Sequence, residues 1–332
     1  MRIAVDAMGG DNAPEAIVAG ALEAAELLPD AQIILVGISE EIKRLNPGTK
    51  VEILSAPEVI LNEDKPLMAI RRKRNSSLVR CLTMLKDKEV DAIVSAGNTG
   101  AFMAGASLIV GRIPGITKPA LAPVLPTELA RGVIALDLGA TMDAKPENLY
   151  QFGIMGSLYA KTVFDINAPR IGLLNVGVEP EKGNDIVRKV FSMLAADDSL
   201  NFVGNIEARD VMKGECDVLI CDGFVGNVLL KSMEGTAQSI FTGIKSSIVD
   251  GGIKAKLGAL LLKDTLRKFK RQLDYSEHGG APLLGINGVC IKCHGSSNAT
   301  TVKNAILKQA YRLVKESAVD KITAMSGGEK NE

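Results

Sequence analysis

The sequence predicts an α/β fold in which a mostly parallel sheet is covered by helices on both faces. A unit made of a short apolar run, a glycine-rich polar loop and a longer helical pattern recurs along the 332 residues. The apolar runs are continuous rather than alternating, which is typical of strands that are buried on both faces. Because strands and helices alternate in order, parallel pairing through helical crossovers is expected.

Each unit can be placed in order along the first half of the chain. A strand over 2–7 is followed by a helix that runs to about Leu28, with Asn12 or Ala13 at its cap and Pro14 in its first turn. An Ala/Gly-rich helix follows the fourth strand and reaches about Val110. The predicted strands of this half are 2–7, 33–36, 51–54, 92–95 and 133–137.

The second half repeats the unit with longer helices. A helix is predicted from about Pro146 to Phe164, and the terminal helix runs to about Ser317. The predicted strands are 170–175, 218–221 and 289–293. Two stretches break the rhythm: 112–127 carries four prolines and should reorganise the sheet or one of its edges, and 236–275 should form a helical arm. We therefore expect one α/β domain over 1–324, arm included, and a disordered tail over 325–332.

Composition excludes several function classes. The 39 basic and 39 acidic residues cancel, so overall charge does not favour nucleic-acid binding. No apolar run approaches the roughly 18 residues that a membrane-spanning helix needs, and Asp6 interrupts any signal-like start. A cytoplasmic location is expected. The G-x-G-x-x-G, Walker A and G-x-S-x-G motifs are all missing, which disfavours common dehydrogenases, ATPases and serine hydrolases.

Six loops that follow strands combine glycine with Asn, Thr, Ser or His. Ligands of open parallel sheets bind at the carboxyl ends of the strands, where glycine lets backbone N–H groups approach an anion. Tight turns alone would explain any one of these loops, but six together predict an anion-binding protein. The candidate binding residues are Asp6, Gly9, Gly10, Asn12, Gly97, Asn98, Thr99, Gly100, Gly139, Asn227 and Gly295.

The chain has only two histidines, so few side chains can transfer protons near neutral pH. His294 follows a predicted strand and is the stronger candidate, while His278 lies in another glycine-rich loop. Lys182 is a candidate for contacting phosphate or an acidic protein, and Asp222 for orienting a base. A solvated lysine and an ordinary helix cap are the alternatives for these two residues.

Two positively charged segments suggest surfaces for partners. Arg71, Arg72, Lys73 and Arg74 form the densest basic run, which suits docking of an acidic protein or a solvated helix start. Within the arm, seven basic residues accompany Asp264 and an apolar stripe. This pattern fits reversible binding to an anionic membrane, a dimer interface, or both. The candidate membrane-contact residues are Leu257, Leu260, Leu261, Leu262, Lys263 and Arg267.

The five cysteines contain one local motif, Cys290-Ile-Lys-Cys-His294, which matches the spacing of haem attachment. The motif lies in a predicted strand, which would place Cys290 and Cys293 on opposite faces. Haem attachment and a structural zinc are therefore not expected.

Taken together, the loops resemble the phosphate acyltransferase family of bacterial phospholipid synthesis. The resemblance covers the first strand to about Asn298. Its motifs are Asp6-Ala-Met-Gly-Gly-Asp-Asn-Ala-Pro14, Ser95-Ala-Gly-Asn-Thr-Gly-Ala101, Asp137-Leu-Gly-Ala140, Leu174-Asn-Val-Gly177, Cys221-Asp-Gly-Phe-Val-Gly-Asn227 and Lys292-Cys-His-Gly295.

The resemblance implies a Rossmann-like fold similar to phosphate acetyltransferases and to isocitrate and isopropylmalate dehydrogenases. It also implies reversible transfer of a long acyl group from acyl carrier protein to inorganic phosphate, without a cofactor or metal. A membrane glycerol-3-phosphate acyltransferase would use the acyl phosphate. A homodimer bound peripherally to the inner face of the cell membrane is implied as well. Two other readings are a short-chain phosphate acetyltransferase that uses coenzyme A, and a non-enzymatic regulator that binds lipid or acyl carrier.

Overall fold

The strands of the computed structural model form two sheets rather than a single one. The structure describes residues 1–45, 48, 50–129, 131–272 and 279–325. The larger sheet has the order β3-β2-β1-β4-β12-β11-β5. These strands are β1 (Arg2–Asp6), β2 (Gln32–Gly37), β3 (Val51–Ser55), β4 (Ala92–Ser95), β5 (Ala120–Leu121), β11 (Ala281–Leu284) and β12 (Val289–Lys292).

The smaller sheet has the order β6-β7-β10-β8-β9. Its strands are β6 (Val124–Leu125), β7 (Val133–Leu136), β8 (Arg170–Asn175), β9 (Asn201–Glu207) and β10 (Val218–Ile220). Pairing is parallel except where β11 pairs with β12 and β5, and where β6 pairs with β7. The predicted α/β class with mostly parallel strands is therefore confirmed.

Helices cover both faces of the sheets, as the continuous apolar strands predicted. On β1, Ile3 and Val5 belong to one buried cluster and Ala4 to another, so successive side chains enter cores on opposite faces. The helices that cover the sheets are α1 (Glu15–Leu27), α2 (Ser39–Arg44), α3 (Pro66–Arg72), α4 (Ser77–Lys86), α5 (Thr99–Gly105), α6 (Pro146–Phe164), α7 (Asp185–Ala195), α11 (Ala299–Asn304), α12 (Tyr311–Lys315) and α13 (Ala318–Met325).

The segment with four prolines connects the two sheets. It supplies the two-residue strands β5 and β6, each at the end of its sheet. The predicted reorganisation of a sheet edge is confirmed here. Pattern reading missed β11, which contains Pro282, and β9, which contains Gly204 at a φ of 99°. Both features weaken a strand signal because Pro cannot donate to a ladder and Gly marks irregular pairing.

Three helices form the predicted arm: α8 (Gly223–Asp250), α9 (Gly252–Leu261) and α10 (Lys263–Gln272). The predicted arm is helical through Gln272, and its last three positions lie outside the described residues. The Phe241 ring on α8 lies 6.1 Å from the Phe269 ring on α10, so the arm folds back on itself. The predicted disordered tail began one residue too early, because Met325 is the last residue of α13; the other predicted positions, 326–332, lie outside the described residues.

Candidate active site

Three polar side chains lie in register at the carboxyl ends of neighbouring strands. Ser95 on β4 pairs with Asp6 on β1 and with Lys292 on β12. The Ser95 hydroxyl donates to Asp6 Oδ2 at 2.6 Å and accepts from the Gly97 amide at 3.1 Å. Burial raises the pKa of the Asp6 carboxyl, although hydrogen bonds from Ser77 and Ser95 oppose that effect. The row combines a carboxyl, a hydroxyl and an ammonium group in the interior of the protein.

The list of candidates lacked both Ser95 and Lys292, and Lys292 is the more unusual of the two. It is only 7% exposed, and its Nζ donates to the Cys293 carbonyl oxygen. Burial lowers the pKa of its ammonium to about 8, and the Asp6 and Asp11 charges oppose the shift. The sequence did hold a signal, because a lysine that follows Val289-Cys-Ile in a strand buried on both faces has no solvated position. A buried ammonium needs anionic or polar partners, so Lys292 is suited to hold an anionic ligand.

A cleft of about 180 Å³ opens beside this row, between elements of both sheets. Its polar members come from the start of α5, from the end of β12 and the loop after it, and from the first half of α8. Its apolar members come mainly from β5, β6 and the loop after β7. The lining residues are Thr99, Leu121, Pro123, Val124, Leu125, Leu138, Leu230, Lys231, Glu234, Gly280, Ala281, Lys292, Cys293 and His294. A buried ammonium group and an apolar wall thus share one cavity.

Glycines bring the loops after β1 and β4 into contact. A Cβ at Gly9 would lie 2.5 Å from Asp6 Oδ2 and 2.6 Å from the Gly97 amide nitrogen. Gly10 adopts a φ of 108°, which residues with a side chain rarely adopt. Gly295 belongs to the same cluster, since its carbonyl accepts from the Asp11 amide at 2.8 Å. These four candidate glycines are therefore needed for the packing of the loops, whatever they bind.

Two candidate asparagines have protein partners for their side-chain amides. Asn12 Nδ2 donates to the carbonyls of Ser296 at 3.1 Å and Ser297 at 3.2 Å. Asn98 caps α5 by accepting from the Ala101 amide at 2.9 Å. Its Nδ2 also donates to the carbonyls of Leu61, Asn62 and Asp64. These contacts fix the loops that surround the cleft. Gly100 packs against Pro66, since a Cβ on Gly100 would lie 2.6 Å from Pro66 Cγ.

The smaller sheet contributes a buried carboxyl that the sequence analysis also left out of the candidate list. Asp137 follows β7 and accepts from the Ala140 amide at 3.0 Å and the Thr141 amide at 2.5 Å. Burial raises the pKa of its carboxyl to about 6. In the same loop, Gly139 approaches Asn227, whose Oδ1 would lie 3.4 Å from a Cβ on Gly139.

Asp222 occupies the N-cap of α8. Its Oδ1 accepts from the Val225 amide at 2.9 Å, which is the ordinary bond of a capping aspartate. The carboxylate therefore has a structural partner. This geometry corresponds to the helix-cap alternative that the sequence had left open.

His294 lines the cleft and is exposed. Its Nδ1 accepts from the Ser296 amide at 3.2 Å and lies 2.8 Å from Ser296 Oγ. A nitrogen that accepts from an amide carries no proton, so the neutral ring holds its proton on Nε2. Lys182 is exposed in the loop after β8, where its carbonyl accepts from Asn175 Nδ2 at 3.1 Å, and it is not among the residues lining the cleft. His278 lies outside the described residues.

The basic run is divided between surface and interior contacts. Arg71, Arg72 and Arg74 are exposed. Lys73 Nζ instead lies 2.5 Å from Asp64 Oδ2 and donates to the Val59 carbonyl at 2.9 Å, so its charge is already paired. Because α3 begins at Pro66, next to Gly100, Arg71 and Arg72 belong to a helix that borders the loops of the cleft, and Arg74 lies just after that helix.

The tip of the arm is apolar and exposed. Leu261 is 87% exposed, and three neighbouring leucines are more than half exposed: Leu257, Leu260 and Leu262. Lys263 is exposed, and Arg267 Nη1 lies 3.6 Å from Asp264 Oδ1. Among the helices in the described ranges, none is long and apolar enough to cross a membrane.

Cys290 and Cys293 lie in separate core clusters, which confirms that the strand places them on opposite faces. Burial raises the pKa of both thiols, that of Cys293 to about 12. Neither thiol is therefore a reactive thiolate near neutral pH.

Comparison with known proteins shows the family to which the chain belongs. The model of a family described as fatty acid synthesis protein matches residues 1–321. A phosphate acyltransferase of Brevibacillus brevis is 52% identical, with 95% of this chain and 94% of the relative covered. One from Oceanobacillus iheyensis is 49% identical, with 98% and 97% covered.

Among solved structures, a phosphotransacetylase from Streptococcus pyogenes superposes with a TM-score of 0.59 at 15% identity, covering 96% of this chain and 94% of the other. At that identity the likeness supports the fold, which the sequence had related to phosphate acetyltransferases. The sequence relatives carry the assignment of activity. The chain therefore belongs to the fatty acid synthesis protein family and, within it, to the phosphate acyltransferases, which are acyl-transferring enzymes.

Proposed function

We propose that the enzyme transfers a long acyl group reversibly from acyl carrier protein to inorganic phosphate, giving acyl phosphate and free carrier for phosphatidic acid synthesis. The observation that carries this proposal is the buried Lys292 ammonium beside an apolar-walled cleft. The ammonium and the glycine-loop amides suit phosphate, and the apolar wall suits an acyl group. Thiol-release measurements can distinguish this reaction from that of a coenzyme A acetyltransferase and from carrier binding by a regulator.

In the proposed reaction, a phosphate oxygen attacks the thioester carbonyl carbon, the C–S bond breaks, and the carrier thiolate leaves. HPO₄²⁻ and acyl thioester give acyl phosphate and a free thiol, so the proton of phosphate ends on sulfur. His294 donates a hydrogen bond from Nε2 to the developing thiolate, which then takes up the proton that phosphate has lost. Phosphate is itself a nucleophile, so no covalent acyl-enzyme is needed. The barrier falls through orientation and through stabilisation of the carbonyl oxyanion.

The other candidate residues have supporting roles in this proposal. Lys182 is assigned to contact phosphate or the acidic carrier from the rim of the site. Asp222 holds the start of α8, and through it Asn227, against the loop of Gly139. Arg71, Arg72 and Arg74 are assigned to carrier docking, because acidic partners are steered by exposed positive charge. Lys73 stabilises this helix through Asp64.

The membrane proposal rests on the tip of the arm. Four exposed leucines beside basic residues fit peripheral binding to the inner face of the cell membrane, where a glycerol-3-phosphate acyltransferase would take up acyl phosphate. A homodimer would pair two arms and leave their leucine tips facing lipid.

The direct test is release of free thiol from palmitoyl-acyl carrier protein with and without phosphate, with hydroxylamine trapping of the acyl phosphate. We expect release only with phosphate, together with trapped product. Faster turnover of acetyl-coenzyme A would favour the short-chain alternative, and tight carrier binding without turnover would favour the regulator. An acylated enzyme isolated without phosphate would contradict direct attack.

Activity should depend on the Lys292 proton. The cation exists below its pKa, and burial lowers that pKa to about 8, so kcat/KM for phosphate should fall as the pH rises through about 8. In a Lys292→Arg variant the guanidinium stays protonated, and this descending limb should move to higher pH. Identical limbs in both proteins would assign the titration to another group.

Substitution of Asp222 should separate capping from catalysis. Asp222→Ala should lower the free energy of unfolding by about 1 kcal/mol, whereas Asp222→Asn should keep the cap. We expect the Asn variant to retain both stability in urea unfolding and most of the turnover. If the Asn variant is stable but has no turnover, the Asp222 carboxylate takes part in catalysis and does more than cap α8.

Leu261→Glu should weaken binding to anionic vesicles at least tenfold while phosphate-dependent turnover in solution is retained. The substitution removes burial of one leucine, worth roughly 1.5–3 kcal/mol, and adds a repelled charge. Vesicle co-sedimentation measures the effect. Leu27→Glu is the matched control, because Leu27 is exposed on α1 and is not part of the arm. Equal binding by both variants would argue against membrane contact at the tip.

A further inference from the structure

A second cavity, of about 750 Å³, lies beneath the base of the arm. We name it the arm cavity. One wall is the α8 helix, and the opposite wall is formed by the end of β6 and by Met212. Its lining residues are Leu125, Pro126, Met212, Leu230, Ser232, Met233, Glu234, Thr236, Ala237, Gln238, Ile240, Phe241, Thr242 and Lys245.

The arm cavity adjoins the cleft. Leu125, Leu230 and Glu234 line both spaces, so the two meet between β6 and α8. Glu234 at this junction is paired with Lys231, whose Nζ lies 2.7 Å from its Oε2. The junction therefore presents no uncompensated charge to an apolar chain.

The length and the apolar lining of the arm cavity indicate the kind of ligand that fits it. The α8 wall extends from Leu230 to Lys245, about 22 Å at a rise of about 1.5 Å per residue. One lipid acyl chain spans half of the roughly 30 Å hydrocarbon core of a bilayer, so a chain of that kind fits along the wall. Leucine, methionine, isoleucine and phenylalanine side chains cover much of the surface, and flexible methionines accommodate chains of differing shape.

We propose that the arm cavity binds the acyl chain of the thioester substrate and thereby sets the preference for chain length. This inference rests on the proposed function, since it needs an acyl group to react at the cleft. The thioester lies beside Lys292 and His294, and the chain passes Leu125 and Leu230 to lie along α8 towards Phe241. Each additional buried methylene then strengthens binding by roughly fourfold until the cavity is filled.

The test compares two acyl lengths, butyryl and palmitoyl, on the same carrier protein with saturating phosphate. The readout is the ratio of kcat/KM for palmitoyl to that for butyryl. Ala237→Phe narrows the cavity from α8, and Met212→Trp narrows it from the opposite wall. Ser239→Phe is the matched control, because Ser239 is exposed on α8 and does not line the cavity.

We expect both narrowing variants to lower the ratio at least tenfold and the control to leave it unchanged. An unchanged ratio in Ala237→Phe and Met212→Trp, with both proteins folded, would overturn the proposal. Equal losses at both lengths together with an altered mass in light scattering would overturn it as well, because a second copy of the chain would then fill the cavity. Failure of the wild-type enzyme to turn over either acyl carrier protein would instead contradict the proposed function.

Discussion

Replacement of Lys292 by methionine is expected to lower kcat/KM for phosphate by about 10²–10³-fold, the usual effect of removing one preorganised group that stabilises charge in an active site. Methionine keeps much of the length and removes the cation, so Asp6 and Ser95 lose the ammonium group that pairs with Ser95 in register. Steady-state kinetics with phosphate varied at saturating acyl carrier protein measure the effect.

The matched control for this variant is Lys303→Met. Lys303 pairs with Glu23 at 2.7 Å on the surface and is not among the residues lining the cleft. We expect its kcat/KM to stay within twofold of the wild type, since surface ion pairs contribute little. A loss of phosphate affinity in Lys292→Met that is no greater than in Lys303→Met would remove Lys292 from the phosphate site.

Replacement of Gly9 by alanine is expected to abolish most of the activity and to lower the free energy of unfolding by about 1–3 kcal/mol, the cost of overpacking a tight contact. The added methyl group would meet the Asp6 carboxylate and the Gly97 backbone, so the loops after β1 and β4 would have to separate. Separation would also move Ser95 and Lys292 relative to each other. Urea unfolding and turnover should be measured on the same preparation.

Gly243→Ala provides the corresponding control on α8. A Cβ at Gly243 has open space around it, and alanine favours helix over glycine by roughly 0.5–1 kcal/mol. We expect this variant to be as stable as the wild type or more so, and equally active. Wild-type activity in Gly9→Ala would show that the close approach of the two loops is not needed for catalysis.

Binding-site residues could be predicted from the sequence where the type of residue alone determines its place in the fold. Glycines after apolar strands must lie at the carboxyl edge of a parallel sheet, and Gly9, Gly10, Gly97 and Gly295 do meet there. His294 lines the cleft for the same reason. Sequence patterns do not reveal which polar side chains are already engaged in hydrogen bonds or ion pairs within the protein. Asn98 and Lys73 look like ligand-binding residues in sequence, but each is held by a loop that precedes α3.

The sequence by itself determined the class of fold, the strand-loop-helix order and the helical arm, because these depend on local periodicity and on turn residues that act over a few positions. It also determined the family, through motifs spread from Asp6 to Gly295. Only the tertiary structure decided that the strands divide into two sheets and that Lys292 lies in a buried row with Asp6 and Ser95. It alone showed that the arm cavity adjoins the cleft. These features depend on register and packing between residues far apart in the chain, and no local pattern encodes which distant strand lies next to which.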